Sequence, residues 1–328
     1  VVMSEGAPRK VTRRDVARHA GVSDAVVTYT LNGRAPVAPA TAARVRESIR
    51  ILGYTPNAAA RALKMGSSRL IGIIVPDTTN PFWSELCQQV ENVAAREGYA
   101  VLVVNSRDDD NRAIALARSL ASRQVDGFLV ASIVHPNEVT AFNALGIRWA
   151  TLNNPHPIAG TMGVGVDLEQ GARDATRHLI DHGYRWIAFV GSTKDARYGG
   201  WTTELASAGL EPGLVFPADF ERRSGYLAGR NLAAASAQVD AVFMSSDQLA
   251  IGAMRALHEA GVDMPGDVAV VSFDGTDDAE YAWPGLTTLA QPIAELAEPA
   301  VFRLLGVGSI PDERPRGELV IRRSCGCE

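Results

Sequence analysis

The sequence predicts a small all-α helix-turn-helix head followed by an α/β body of two parallel-sheet subdomains. Three observations carry that expectation. Residues 12–32, TRRDVARHAGVSDAVVTYTLN, hold two short helical patterns on either side of a tight turn at Gly21-Val22-Ser23. From Leu70 onward, short apolar runs alternate with amphipathic stretches, the pattern of parallel strands covered by helices on both faces. Charge is split along the chain: residues 1–65 carry eleven Lys/Arg against four Asp/Glu, a net of +7, and the remainder nets −12. A basic head on an acidic body is the electrostatic footprint of a nucleic-acid-binding domain attached to something else.

In the first helical pattern Val16, Ala17 and Ala20 form an apolar stripe of helical period. Thr12 is placed to cap its start, and Asp15 follows at capping-box spacing. Gly21 supplies the left-handed backbone that ends it. Ser23 then stands as cap of a second helix, whose Val26, Val27 and Leu31 can pack back on the first. Two helices joined by a short glycine-containing turn make a helix-turn-helix, the second helix entering the DNA major groove. After a turn with prolines at 36 and 39, a third helix is expected from about Ala40 to Leu52. There Val45, Ile49 and Leu52 close a three-helix core, and Gly53 ends it. A short helix starting at Pro56 runs through alanines to Lys64. At about two turns it is marginal alone in water and needs a partner, a second copy of itself or DNA.

DVARHAGVS, TLNG, ARVRESIRILGY, TPNAAARALK followed by IGIIVPD, and the C-terminal SCGC stand in the order seen in one family. Over nearly its whole length the chain resembles the LacI/GalR family of bacterial transcriptional repressors. The resemblance implies a DNA-binding head over 1–55, a hinge helix and linker over 56–69, and an effector-binding and dimerisation body over 70–328. It further implies a periplasmic-binding-protein-like body. Subdomain one then spans about 70–166 and 292–317, and subdomain two about 167–291 and 318–328. The implied base-reading residues are Asp24, Ala25 and Tyr29, with Ser23 and Thr28 on the same recognition helix. Asp accepts from cytosine, alanine contacts a thymine methyl, and tyrosine donates to or packs on a base edge. Thr12, Asn32, Arg34, Arg61 and Lys64 are expected on phosphates, giving affinity without sequence information. Leu63 is the expected hinge wedge, inserted in the minor groove beside its counterpart from a second subunit. The recognition helix reads VSDAVVTYTLN where VS-x-x-TVSRVLN is common, which leaves the operator sequence open.

In the body, LIGIIV, AVLVVN, GFLVAS, WATLN and GVGVD read as one series of buried strands, and WIAFVG, AVFMSS and VAVVSF as a second. Ligands in open parallel sheets bind beyond the carboxyl ends of the strands, which places a pocket between the two subdomains. Phe82, Trp83 and Phe220 are candidate stacking walls there. By the resemblance, Ser132, Asn153, Arg197, Ser246, Asp274 and Gln291 fall in ligand-contacting segments. Asn153 stands where many relatives have Asp, and GSTKDARYGGW is about two residues shorter than usual between its arginine and tryptophan. Asp247 reads as a helix cap.

Composition is that of an ordinary globular protein, 46% hydrophobic and 21% charged, without an apolar run long enough to span a membrane. The N-terminal stretch has no secretory pattern, so a cytoplasmic location is expected. Cys325-x-Cys327 lacks the usual metal-ligand spacing and a second ligand pair, so neither metal nor cofactor is expected. No phosphate loop, Gly-x-Ser-x-Gly or dinucleotide fingerprint supports an enzyme. The expected function is a ligand-responsive repressor that binds a pseudo-palindromic operator as a homodimer or higher oligomer, its small-molecule effector a sugar or related metabolite. The alternative is a solute-binding transport protein. The +7 head makes a direct prediction. Operator affinity should fall steeply with salt as phosphate contacts release counterions, and Arg61→Ala should flatten the log–log slope by roughly one unit. Filter binding over a salt series measures this, and a slope insensitive to salt would remove the electrostatic argument.

Overall fold

The computed structural model describes residues 11–33, 35–55, 62, 66–131, 134–154, 162–308 and 314–327. Arg34, Arg61, Leu63, Lys64, Ser132 and most of the expected hinge helix lie outside the described residues. The chain divides into two compact units, Val1–Ser68 and Arg69–Glu328.

The first unit is built from α1 (Arg13–Ala20), α2 (Asp24–Asn32) and α3 (Pro39–Leu52). Thr12 and Asp15 form the expected capping box, with Asp15 Oδ2 accepting from Thr12 N at 2.9 Å and Thr12 Oγ1 accepting from Asp15 N at 3.4 Å. Ser23 differs from expectation: it occupies the cap position of α2, but its hydroxyl makes no cap bond, and only its carbonyl accepts from Val26 N and Val27 N. Val16, Ala17, Ala20, Val27 and Val45 form the buried core, and His19 Nδ1 lies 3.0 Å from Ser48 Oγ, tying α1 to α3. Pro39 starts α3, because its fixed φ suits the first helical turn.

In the second unit, one sheet comprises β1 (Leu70–Val75), β2 (Ala100–Asn105), β3 (Gly127–Val130), β4 (Arg148–Leu152) and β5 (Met162–Val164), ordered β2-β1-β3-β4-β5 and parallel throughout. Its covering helices include α4 (Pro81–Arg96), α5 (Asp110–Ser122) and α6 (Pro136–Asn143). The second sheet takes β6 (Ile187–Val190), β7 (Val215–Phe216), β8 (Ala241–Met244), β9 (Ala269–Asp274), β10 (Thr287–Ala290) and β11 (Glu318–Val320). Its order is β11-β10-β9-β8-β6-β7, with β11 antiparallel to β10. It is flanked by α7 (Leu168–Asp181), α8 (Ala196–Ser207), α9 (Arg222–Ala234) and α10 (Asp247–Glu259). The short α11 (Asp277–Glu280) precedes β10, and α12 (Ile293–Leu305) crosses back to pack on α4 and on β3, β4 and β5.

The apolar runs of the inner strands are continuous because those strands bury both faces; β2, expected from AVLVVN to be buried, lies at the sheet edge instead, with Val103 44% exposed. Ile187, Phe189, Phe243, Val271 and Phe273 pack with Leu179, Trp201 and Leu205 from α7 and α8. The alternating Ala188, Val190, Val242, Met244 and Val270 pack with Leu232, Leu249 and Leu257 from α9 and α10. That period-2 split is the geometry of a pleated strand between two helical layers. The α9–α10 pair is drawn close by glycine. A methyl on Gly252 would run into the Arg222 carbonyl oxygen, and one on Gly225 into that of Leu249. Gly252→Ala is therefore expected to destabilise the second unit by roughly 1–3 kcal/mol through overpacking. Urea unfolding followed by circular dichroism should show a lower midpoint at unchanged slope, and an unchanged midpoint would mean the helices separate freely.

Candidate functional site

On the head, α2 turns Val27 inward and leaves Ala25 and Tyr29 exposed, one turn apart on the same face. Tyr29 is 42% exposed, unusual for a large aromatic in so small a unit. Ser23 and Asn32 are exposed as well. Three of the expected contacts are already engaged. Asp24 pairs with Arg13, whose Nη2 donates to Oδ2 at 3.2 Å. Thr28 Oγ1 donates back to the Asp24 carbonyl at 2.9 Å, and Thr12 is held in the capping box. The face available without rearrangement is that of Ala25 and Tyr29.

In the body, side chains expected at a ligand site gather at the carboxyl ends of the second sheet. Asp195 caps α8 and grips Arg197 in a fork, Nε donating to Oδ1 at 2.7 Å and Nη2 to Oδ2 at 3.0 Å. Arg197 Nη1 donates to the Ser245 carbonyl at 2.7 Å and lies 3.7 Å from Asp274 Oδ1. The guanidinium carbon stands 4.9 Å from the Phe220 ring centroid and 5.0 Å from that of Phe273, so Phe220 stacks on a cation. At the end of β9, Asp274 takes φ 121°, a left-handed backbone uncommon for a residue with a side chain. Gln291 Nε2 donates to Asp274 Oδ1 at 3.0 Å, and its backbone N–H to the Asp274 carbonyl at 3.0 Å.

Neighbouring residues separate scaffold from candidate contacts. Asp247, read from the sequence as a helix cap, is instead a buried hub. Its Oδ1 accepts from Ser272 Oγ at 2.6 Å and Thr288 Oγ1 at 2.7 Å, and its Oδ2 from Thr276 N and Oγ1 at 2.7 and 2.9 Å. The α10 cap is Ser246, whose Oγ accepts from Leu249 N at 3.3 Å. Phe82 is 2% exposed and packs edge-on to Trp83 within the core, with centroids 4.9 Å apart, so it plugs the interior rather than offering an open wall. By contrast, the buried atoms Ser245 Oγ, Gln248 Nε2, Gln291 Oε1 and, after β4, Asn153 Oδ1 have no hydrogen-bond partner among the described residues. Such atoms cost on the order of 1–3 kcal/mol each when left unmatched. Ser245 and Gln248 were not expected from the sequence; Ser245 flanks Ser246, which was.

A cavity of about 120 Å³ opens elsewhere, lined by Ser106, Asp108, Asp109, Asp110, Ala113, His135 and Glu138, and contains none of the expected ligand residues. Cys87 is buried, and burial pushes its thiol up to about 11. Cys325 and Cys327, read as lacking a second ligand pair, have His178 and His182 beside them.

Burial raises the Asp274 carboxyl from the usual carboxylate range to about 8, against the opposing pull of Arg197. The unfolded chain releases that proton near pH 4, so from there to about pH 8 the folded state holds more protons and this contribution to stability falls as pH rises. Asp274→Asn, which cannot ionise, should therefore gain in Tm relative to the parent chain between about pH 5 and about pH 8.5. A difference constant with pH would show the carboxyl ionised throughout.

Bacterial regulatory proteins of the lacI family match residues 12–57, and the periplasmic binding protein-like domain matches residues 176–325. Catabolite control protein A of Priestia megaterium is 31% identical, covering 90% of this chain and 91% of that protein. The ribose operon repressor of Escherichia coli K12 is 32% identical over 90% of this chain and 92% of its own length. The crystal structure of the lac repressor dimer bound to operator and the anti-inducer ONPF superposes with a TM-score of 0.84 at 26% identity, covering 97% of this chain and 99% of that one. With the head matched at 12–57 and relatives covering 90% of the chain, a transport solute-binding protein does not fit: the chain belongs to the LacI family and is a DNA-binding transcriptional regulator.

Proposed function

We propose that this regulator represses transcription by binding a pseudo-palindromic operator as a homodimer, under the control of a sugar or related polar metabolite held at the strand ends of the body. It acts in the cytoplasm by binding and not by catalysis. The observation that carries the effector reading is the pair of unmatched buried polar atoms, Ser245 Oγ and Gln291 Oε1, on residues bonded to Arg197 and Asp274 beside the Phe220 ring, with Asn153 Oδ1 unmatched at the end of β4 in the first sheet. A polyhydroxylated molecule supplies alternating donors and acceptors to such atoms and an apolar face to an aromatic ring. The ribose operon repressor and the operator-bound lac repressor dimer support the same reading. On the head, Ala25 and Tyr29 read base edges, while Thr12, Ser23, Asp24, Thr28 and Asn32 position the helix. Arg34, Arg61 and Lys64 contact phosphates, and Leu63 is the minor-groove wedge. A single head reads one half-site, so a dimer is required. Tyr281 and Trp283, 83% and 81% exposed, are two large aromatics on one short stretch, which supports a surface covered by a second copy.

Effector and operator affinities are then linked: a ligand that binds one state better changes DNA affinity by the same factor that DNA changes its own. A thermal-shift screen of sugars, nucleosides and small acids identifies the ligand, and operator titration by fluorescence anisotropy measures the coupling. Asp274→Ala should lose a hydrogen bond of about 0.5–1.5 kcal/mol, weakening effector binding roughly twofold to tenfold, and Phe220→Ala should weaken it as well. Effector-free operator binding should survive in these variants for an inducer, whereas with a corepressor they should fail to reach the tight-binding state. Folded dimeric variants with the parent ligand response would place the pocket elsewhere.

A further inference from the structure

The C-terminal Cys-x-Cys pair meets histidines 143 to 149 residues away in sequence. His178 lies in the last turn of α7 and His182 caps that helix, so the two imidazoles share one face at i and i+4, with ring centroids 4.7 Å apart. Cys325 ends a short 3-10 turn, Arg323–Cys325, that is locked to the second sheet. Ser324 Oγ donates to the Val270 carbonyl at 2.6 Å and accepts from Thr287 N at 2.8 Å, while Ser324 N donates to the Gly285 carbonyl at 3.0 Å. Gly326 then takes φ 97°, reversing the chain so that Cys327 returns to the side of Cys325. His182 Nε2 lies 3.1 Å and His178 Nε2 3.9 Å from Cys327 Sγ, and one ring nitrogen from each histidine and both sulfurs all fall within 4.8 Å of one another.

We propose that His178, His182, Cys325 and Cys327 form a four-coordinate zinc site that staples the C-terminal turn to the end of α7. Two imidazoles and two thiolates are a closed structural ligand set for this borderline-soft ion. Bond lengths of about 2.3 Å to sulfur and about 2.0–2.1 Å to nitrogen put tetrahedral sulfur–nitrogen neighbours about 3.6 Å apart. The observed 3.1 and 3.9 Å fall on either side of that spacing. Cys325 is fully buried, Cys327 half-buried and His182 exposed, so the inner sulfur is shielded while an ion can enter from solvent. Thr287 Oγ1 sits 3.1 Å from Cys325 Sγ, the outer-shell hydroxyl that a metal-bound thiolate recruits. On binding, each thiol releases its proton to solvent and each imidazole binds as the neutral ring, with no redox step.

The full-length chain, purified in reducing buffer from zinc-supplemented cells, should carry about one zinc per chain by elemental analysis. Cobalt substitution should give a thiolate-to-cobalt charge-transfer band and the intense visible bands of a four-coordinate centre. His182→Gln and Cys327→Ser alter the two more accessible ligands and should keep the parent far-ultraviolet circular dichroism. Each should bind zinc at least about tenfold more weakly, the scale already set by losing a ligand's supporting partner. A chelator should lower the Tm of the parent chain and of a Cys87→Ala control, and leave the two ligand variants unmoved. Zinc far below stoichiometry, a six-coordinate cobalt spectrum, or variants that bind zinc as tightly as the parent would overturn the site. So would a Cys325–Cys327 disulfide in protein purified anaerobically.

Discussion

Hydrogen bonds from Ser272 on β9, Thr288 on β10 and both the backbone and the hydroxyl of Thr276 converge on the buried carboxyl of Asp247. A carboxyl withdrawn from water costs several kcal/mol unless its lone pairs are matched, and here all of that matching comes from neighbouring strand ends and the turn after β9. Burial still raises its titration, against the hydrogen bonds that lower it. The hub thus fixes where β8, β9 and β10 end relative to one another. Those ends carry Ser245, Asp274 and Gln291, so the ligand-site geometry depends on one carboxyl that takes no part in it.

Of the buried side-chain atoms without a hydrogen bond among the described residues, Asn153 Oδ1, Ser245 Oγ, Gln248 Nε2 and Gln291 Oε1 lie at or just past strand ends, and Trp201 Nε1 and Glu204 Oε1 lie on α8. Arg197 has Nε, Nη1 and Nη2 bonded and is pressed on two aromatic rings. It is buried without being left as an uncompensated charge, because Asp195 lies in its fork. Ser245 Oγ and Gln291 Oε1, a few residues away along the same strand ends, have nothing to bond among the described residues. A fold stable enough to bury that many polar groups can leave a few unmatched, and those at the strand ends are where a small polar molecule gains most.

The head solves a different problem with fewer residues. Among the described residues its buried apolar cluster joins Val16, Ala17, Ala20, Val27 and Val45, of which Val27 comes from α2. The rest of that helix is free for other uses, which is why Ala25 and Tyr29 can face outward without loss to the core. Asp24 is drawn back to Arg13 and Thr28 to its own helix, so those two polar groups would have to exchange partners to reach a base.

The head's helices, the capping box at Thr12 and the alternation of buried strands were legible from the sequence because each follows local periodicity and local hydrogen-bonding chemistry. Strand runs apolar on every residue, such as LIGIIV, declared themselves as buried on both faces. What tertiary structure alone decided is which side chains meet. Phe82 turned into the core from the first turn of α4, where Phe82 and Trp83 stand side by side and sequence carries no sign of which one faces inward. Ser23 makes no side-chain cap bond, and its backbone carbonyl instead accepts from Val26 N, a donor that a capping hydroxyl would take. The four-ligand cluster at the C-terminus was hidden for the plainest reason: His178 and Cys327 lie 149 positions apart, and only the crossover that returns the chain to the second sheet puts them in contact.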